Sequence, residues 1–233
     1  MRPWSPLLLL AGLALVAAEP SPPAALAPVV QALELKWPRN RTIHLVCHGH
    51  SVPAGYFATP VVRANEAYPA GLQAGLRERF PHAVLNVIVT AIGGEASDRG
   101  AARFERDVLA LHPAVVTIDY SLNDRRLGLE KAKANWTAMI VAAKAAGIQV
   151  ILLTPTPDQS AKLDDPKDPL NQHAEQVRAL AKEQGVLLVD SLALFKAKVA
   201  AGTPLKDLMS QVNHPNAAGH ALVSAALLDL FRK

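Results

Sequence analysis

A serine hydroxyl, an imidazole, a carboxamide and a glycine-flanked amide are together enough to run acyl transfer. The hydroxyl attacks, the imidazole takes its proton, and neutral N–H donors hold the oxyanion that develops. This chain offers such a set in four short blocks: His48-Gly49-His50-Ser51, Thr90 to Ser97 with Gly93-Gly94, Asp119 to Asp124 with Asn123, and Asn213-His214-Pro215-Asn216. Ser51 follows a glycine, where a sharp exit would leave its hydroxyl exposed. A serine there is also a common helix cap. Gly94 has no side chain to keep a ligand from the backbone, although a turn glycine needs no such reason. Asn123 carries an NH₂ that donates without a proton to lose, and Asn-Asp pairs are equally at home in turns. His214 precedes Pro-Asn at a helix start, where a structural histidine would also fit. Each block alone has a bland explanation. The four in succession do not.

Such blocks must be positioned by the elements between them. Short apolar runs at 43–47, 83–89, 114–118, 149–153 and 186–189 lack polar alternation, as strands covered on both faces do. Helix-length patterns lie between them at about 63–80, 99–111, 131–146 and 172–184, and a last one follows at about 217–232 after a looser stretch, 191–210. Five such β-α repeats predict an α/β fold, an open parallel sheet with helices on both faces. Ligands in such folds sit beyond the carboxyl ends of the strands. Three of the four blocks directly follow an apolar run, and the fourth opens the last helix.

In order and spacing these blocks resemble the SGNH, or GDSL-type, esterase and lipase superfamily over about residues 43 to 220. The Gly-Gly-x-x-Ser block and Thr154-Pro155-Thr156-Pro157 look closest to its carbohydrate acetylesterase branches. The resemblance implies a three-layer α/β/α sandwich on a five-stranded, flavodoxin-like parallel sheet. It also implies ester hydrolysis through an acyl-enzyme, with Ser51 as nucleophile, His214 as general base, and Gly94 and Asn123 as oxyanion donors beside the serine's own N–H.

Three positions depart from the family pattern. Gly-Asp-Ser is Gly49-His50-Ser51 here, Gly-x-Asn-Asp begins with Ser121, and Gln211 stands where an aspartate normally orients the catalytic histidine. A neutral amide does not stabilise an imidazolium as a carboxylate does. Either a backbone carbonyl near Ser210 or Gln211 takes over, leaving a Ser-His dyad, or the domain is a glycan-binding pseudoenzyme. A lipase or thioesterase of the same superfamily is a further alternative, but no long apolar lid segment is evident. That favours a short acyl or acetyl group on a polar alcohol such as a carbohydrate.

Other residues point elsewhere less well. His48 and His50 with His214 lack the cysteine or close carboxylate that would complete a metal set, so no metal and no cofactor is expected. Gly93-Gly94 lacks the Lys-Ser/Thr of a phosphate loop. Arg125 and Arg126 are either an anion clamp for a group such as a uronate or solvated surface charges. The proline-rich segment 154–170 is expected to form an ordered rim of the cleft.

The formal charge of +4 is spread among acidic residues without a basic stripe, so nucleic acid is not an expected partner. Arg2, the apolar run 6–16 and Val16-Ala17-Ala18 form the pattern of a signal peptide cut after Ala18. The chain is therefore expected to be secreted or periplasmic, without stable membrane insertion of the mature form, although a retained anchor is the alternative. Residues 19–38 read as a flexible Pro/Ala-rich tether and 39–233 as the hydrolase domain. Cys47 is the single cysteine, which excludes an intramolecular disulfide and suggests a buried, inert thiol.

Overall fold

Alternation within the strands decides the architecture. The computed structural model describes residues 23–232. Its elements, in chain order, are α1 (Ala27–Glu34), β1 (Thr42–Gly49), α2 (Ser51–Ala54), α3 (Tyr68–Arg79), β2 (Val84–Val89), α4 (Ser97–Ala102), α5 (Phe104–Asp107), β3 (Val115–Asp119) and α6 (Ser121–Asp124). Then follow α7 (Leu129–Ala145), β4 (Gln149–Leu153), α8 (Pro169–Gln184), β5 (Leu187–Val189), α9 (Ser191–Ala200), β6 (Met209–Gln211), β7 (His214–Pro215) and α10 (Ala217–Asp229). The first five strands form one sheet in the order β2-β1-β3-β4-β5, every pair parallel. This is the doubly wound, flavodoxin-like order, which places its switch point at the carboxyl ends of β1 and β3.

Successive strand residues feed two cores. Leu45, Cys47, Val115, Ile151 and Leu153 join Leu72, Phe195, Val223 and Leu227 from α3, α9 and α10 on one face. Val46, Val116, Ile118, Val150 and Leu152 join Trp136, Met139, Ile140 and Val177 from α7 and α8 on the other. The fold is thus a three-layer α/β/α sandwich on a five-stranded parallel sheet. Burial leaves Cys47 with no exposed surface and pushes its thiol up to about 12, so it stays protonated and inert.

Three sequence expectations change. The tether proposed over 19–38 is helix α1 over Ala27–Glu34, with Leu26, Val29, Val30 and Leu33 buried in the first core. Their i, i+3, i+4, i+7 spacing is a helical apolar stripe, so the ordered domain begins well before residue 39. Residues 191–200 form α9, started by Asp190, whose carboxylate caps the Ala193 N–H at 3.1 Å. The helix expected at 99–111 is broken into α4, α5 and a 3-10 turn. The signal peptide at 1–18 and residues 19–22 of the tether lie outside the described residues. Among the described residues, no helix is long and apolar enough to cross a membrane.

Candidate active site

Ser51 is the first residue of α2, directly after β1, and its approach to the sheet depends on Gly49. A Cβ at Gly49 would lie 2.5 Å from the Asp119 carbonyl oxygen, so only glycine lets β1 and β3 close at this point. The short helix then turns out at Gly55, which has a left-handed φ of 86°. Ser51 is 6% exposed at the head of this turn.

His214 comes from the other end of the chain, on the antiparallel pair β6–β7. Its Nε2 lies 2.9 Å from Ser51 Oγ. Its Nδ1 lies 2.9 Å from the carbonyl oxygen of Phe57. A carbonyl only accepts, so Nδ1 carries the proton and Nε2 presents a lone pair to the serine hydroxyl. That is the tautomer a general base needs. Burial lowers the pKa of His214 below the usual histidine value, the Phe57 carbonyl raises it in part, and His50 adds to the lowering.

The orienting carbonyl is therefore not that of Ser210 or Gln211, as the sequence suggested, but one from loop 56–62. Gln211 nevertheless holds that loop. Its Oε1 accepts the Thr59 N–H at 2.9 Å, while its Nε2 donates to Asn213 Oδ1 at 3.0 Å. Tyr56 pairs with Val62 across the loop, and the Arg63 guanidinium lies 3.8 Å over the Phe57 ring. The Tyr56 ring stands 5.9 Å from the His214 ring and packs so closely on Gly93 that a Cβ there would be 2.7 Å away.

On the opposite side of Ser51, the segment after β2 is tied to the end of β1. Thr90 and Ile92 donate their N–H groups to the carbonyls of Cys47 and Gly49, each at 3.0 Å. Gly94 has φ of 77° and open space where a Cβ would sit, and among the described residues its N–H meets no protein acceptor. Asn123 reaches the same segment, donating one N–H of Nδ2 to the Glu95 carbonyl at 2.8 Å and leaving its second N–H free. Behind them, Arg103 donates to Glu95 Oε2 at 2.8 Å, to the Thr90 carbonyl at 2.6 Å, to Asp107 at 2.9 Å and to the Tyr120 hydroxyl at 3.0 Å. Asp124 Oδ1 accepts the Ser97 N–H at 2.7 Å and its Oδ2 accepts Trp136 Nε1–H at 2.7 Å. The structure thus brings Ser51 and His214 into direct contact, and ties Asn123 to the segment that carries Gly94.

The remaining candidates are engaged elsewhere. His48 bonds Thr90 Oγ1 at 2.8 Å and faces Gly100 and Tyr120 at 3.1 Å, away from His50, whose Nδ1 accepts the Val52 N–H at 3.2 Å. Arg125 is not a free anion clamp, because it pairs with Asp158 at 2.6 Å. Arg126 is exposed. In segment 154–170, residues 154–158 are buried rather than forming a rim, and Gln159 braces the β6–β7 turn beside His214, donating to the Val212 and Gln211 carbonyls at 2.7 and 3.0 Å. Sequence reading missed the Phe57 carbonyl and the buried Asp119 beside His50. A backbone carbonyl 157 positions from its partner has no residue-type signature at all.

Comparison with known proteins agrees with this geometry. A family model described as the GDSL-like lipase/acylhydrolase family matches residues 47–222. An acetylxylan esterase of Geobacillus stearothermophilus is 26% identical over 174 residues, covering 70% of this chain and 78% of that protein. The crystal structure of the Geobacillus acetylxylan esterase Axe2 superposes with a TM-score of 0.71 at 24% identity, covering 82% of this chain and 94% of the other. An alpha/beta hydrolase enzyme from the metagenome of Lake Arreo, Spain, gives 0.70 at 24% identity over 81% and 94% of the two chains. The structural likenesses establish the fold, and the family match runs from just before the serine to just beyond the histidine. On that match the chain belongs to the GDSL-like lipase/acylhydrolase family and is an esterase of the SGNH type.

Proposed function

We propose that this chain is an exported carbohydrate acetylesterase that works through an acyl-serine intermediate and a Ser51–His214 dyad. The observation that carries the reading is the 2.9 Å contact between His214 Nε2 and Ser51 Oγ, with the other ring nitrogen committed to the Phe57 carbonyl. In this mechanism Ser51 Oγ attacks the ester carbonyl carbon while Nε2 takes its proton. The N–H groups of Ser51 and Gly94 and the free N–H of Asn123 hold the tetrahedral oxyanion. The imidazolium returns the proton to the departing alkoxide, leaving an acyl group on Ser51. Water then attacks that ester with Nε2 again as base, and the carboxylic acid leaves.

The Phe57 carbonyl does for the tautomer what the family's aspartate does, without its charge. In a serine protease, replacing the aspartate by asparagine costs about 10⁴ in turnover because it enforces the wrong tautomer. A carbonyl acceptor enforces the right one, which supports catalysis over a glycan-binding role. The acetyl and carbohydrate parts of the proposal rest on likeness to acetylxylan esterase and on the absence of a long apolar lid segment in the sequence. Export rests on the pattern of residues 1–18.

The test is direct. The purified chain should hydrolyse p-nitrophenyl acetate and release acetate from acetylated xylooligosaccharides, and acid quenching should trap an acetyl adduct on Ser51 detectable by mass spectrometry. A fluorophosphonate probe should label wild type and not Ser51→Ala. A folded wild-type chain that turns over no short-chain ester and takes no probe would end the proposal.

A further inference from the structure

His50 stands where the family motif has an aspartate, and its ring is fully buried against the nucleophile. His50 Nδ1 accepts the Val52 N–H at 3.2 Å, which caps α2, and lies 3.4 Å from Ser51 Oγ. His50 Nε2 faces Asp119 Oδ1 at 3.4 Å. Both atoms are sealed from solvent, and neither has a hydrogen-bond partner among the described residues. Asp119 Oδ2 accepts the Tyr68 hydroxyl at 3.3 Å. Tyr68 and Asp119 are each 1% exposed. A buried chain Ser51–His50–Asp119–Tyr68 therefore runs from the serine into the protein.

The protonation of the ring follows from its partners. Val52 donates to Nδ1, so Nδ1 carries the lone pair and the proton of the neutral ring lies on Nε2. A buried N–H needs an acceptor, and Asp119 is the one that faces it. The opposite tautomer would set an Nδ1–H against the Val52 N–H and aim a second donor at Ser51 Oγ. This tautomer has another consequence. Ser51 has two imidazole nitrogens within reach, but the lone pair of Nδ1 is already taken by Val52, so the hydroxyl proton is left for His214 at the shorter distance.

We propose that His50 and Asp119 are a positioning pair for the nucleophile: Asp119 fixes the His50 tautomer, and His50 in turn caps the Ser51 helix and removes itself as a competitor for the hydroxyl proton. The pair acts through Ser51 and touches no substrate atom. It rests on the reading of Ser51 as nucleophile.

The experiment compares fluorophosphonate labelling rates and short-ester kinetics of wild type, His50→Ala, His50→Asn and Asp119→Asn, with Ser51→Ala as blank. Circular dichroism of each variant accompanies them, with ¹H–¹⁵N spectra of the histidine rings in wild type and Asp119→Asn. Misplacing a reacting group can cost about 100-fold, so His50→Ala and Asp119→Asn should fall about 10- to 100-fold in labelling rate and kcat, with KM within about twofold. His50→Asn retains an acceptor for the Val52 N–H but is too short to place a donor at the Nε2 position, and should recover the capping part of the loss. The wild-type ring spectrum should show His50 protonated on Nε2, and Asp119→Asn should disturb that signature. Folded His50→Ala labelling at the wild-type rate, or a wild-type His50 protonated on Nδ1, overturns the pair. So does His50→Asn as slow as His50→Ala. Wild type that takes no probe at all indicts the nucleophile instead, and the ring spectrum then judges the pair alone.

Discussion

The two sides of the Ser51 hydroxyl are built from different materials. On the Gly94–Asn123 side, the supporting groups are charged and buried: Arg103 and Glu95 are each 8% exposed and Asp124 is fully enclosed. On the His214 side, the hydrogen-bonding supports are neutral: a Phe57 carbonyl, a Gln211 amide and a Gln159 amide, with the Arg63 guanidinium stacked on the Phe57 ring. The difference follows what each side does in the proposed mechanism. Donors that meet a developing oxyanion work best when fixed in advance, because reorganising them during the reaction costs energy. A buried ionic network fixes them well, since losing one partner leaves an uncompensated charge. In that mechanism the base must accept a proton and give it back, with a carbonyl rather than a carboxylate on its Nδ1. The first side should therefore tolerate little change, and the second should respond by degrees.

The largest effect should fall where the two sides meet. His214→Ala should lower kcat on the order of 10⁴- to 10⁶-fold, as removal of the base does in serine proteases, read by steady-state hydrolysis of p-nitrophenyl acetate. A variant within tenfold of wild type would mean that the contact at 2.9 Å is not where the proton goes. Asn123→Ala comes next, at about 10²- to 10³-fold in kcat with KM little changed, the range for one lost oxyanion donor. A loss confined to KM would move Asn123 from the oxyanion to ground-state binding and weaken the contrast.

Support of the oxyanion side can be separated from its chemistry by stability. Arg103→Met strands Glu95 in the interior, and breaking a buried pair costs about 3–5 kcal/mol. Thermal melting should therefore shift down by roughly 10 °C for a domain of this size. On the base side, Gln211→Ala removes one hydrogen bond to the loop that carries the Phe57 carbonyl. Such a bond contributes about 0.5–1.5 kcal/mol, so kcat should fall up to about tenfold and melting should barely move. Equal damage to melting by both variants would erase the comparison.

The Gly94–Asn123 side was also the one whose own residues were more legible. Gly49, Ser51, Gly94 and Asn123 announce themselves because each requires a particular residue type just after an apolar strand, and the five-stranded sheet follows from the same runs. His214 was visible for the same reason, at the start of a helix. What held His214 was not visible, because any residue can supply a carbonyl and Phe57 carries no mark of it. Arg103, Glu95 and Asp124 drew no reading of their own as a buried network, since a sequence does not show which charges are buried. Helix α1 was missed because prolines and alanines around it suggested a tether, while Leu26, Val29, Val30 and Leu33 already had a helical spacing. Composition outweighed periodicity there, and periodicity was the better guide.

The smallest predicted effect concerns protons and separates activity from stability. His214 has its pKa lowered chiefly by burial, so the neutral base persists to lower pH and the acid limb of kcat/KM should lie below 6.5, the ordinary histidine value. His48, behind the oxyanion segment, and His220, behind the base, are both held at about 4, mainly by burial. A histidine with a depressed folded value binds more protons unfolded than folded. Its stabilising contribution is complete above 6.5 and is lost as pH falls from there toward 4, at up to about 1.4 kcal/mol per pH unit for each ring. Melting temperatures should decline over this interval while initial rates, measured at low temperature on the folded enzyme, hold up further into acid. His48→Gln and His220→Gln should each flatten the melting curve against pH, and neither should move the acid limb of kcat/KM by much. A limb that moved with His220→Gln as far as the melting curve would show that the two histidines of α10 and β7 titrate as one unit, and that the base side is more tightly coupled than its neutral hydrogen bonds suggest.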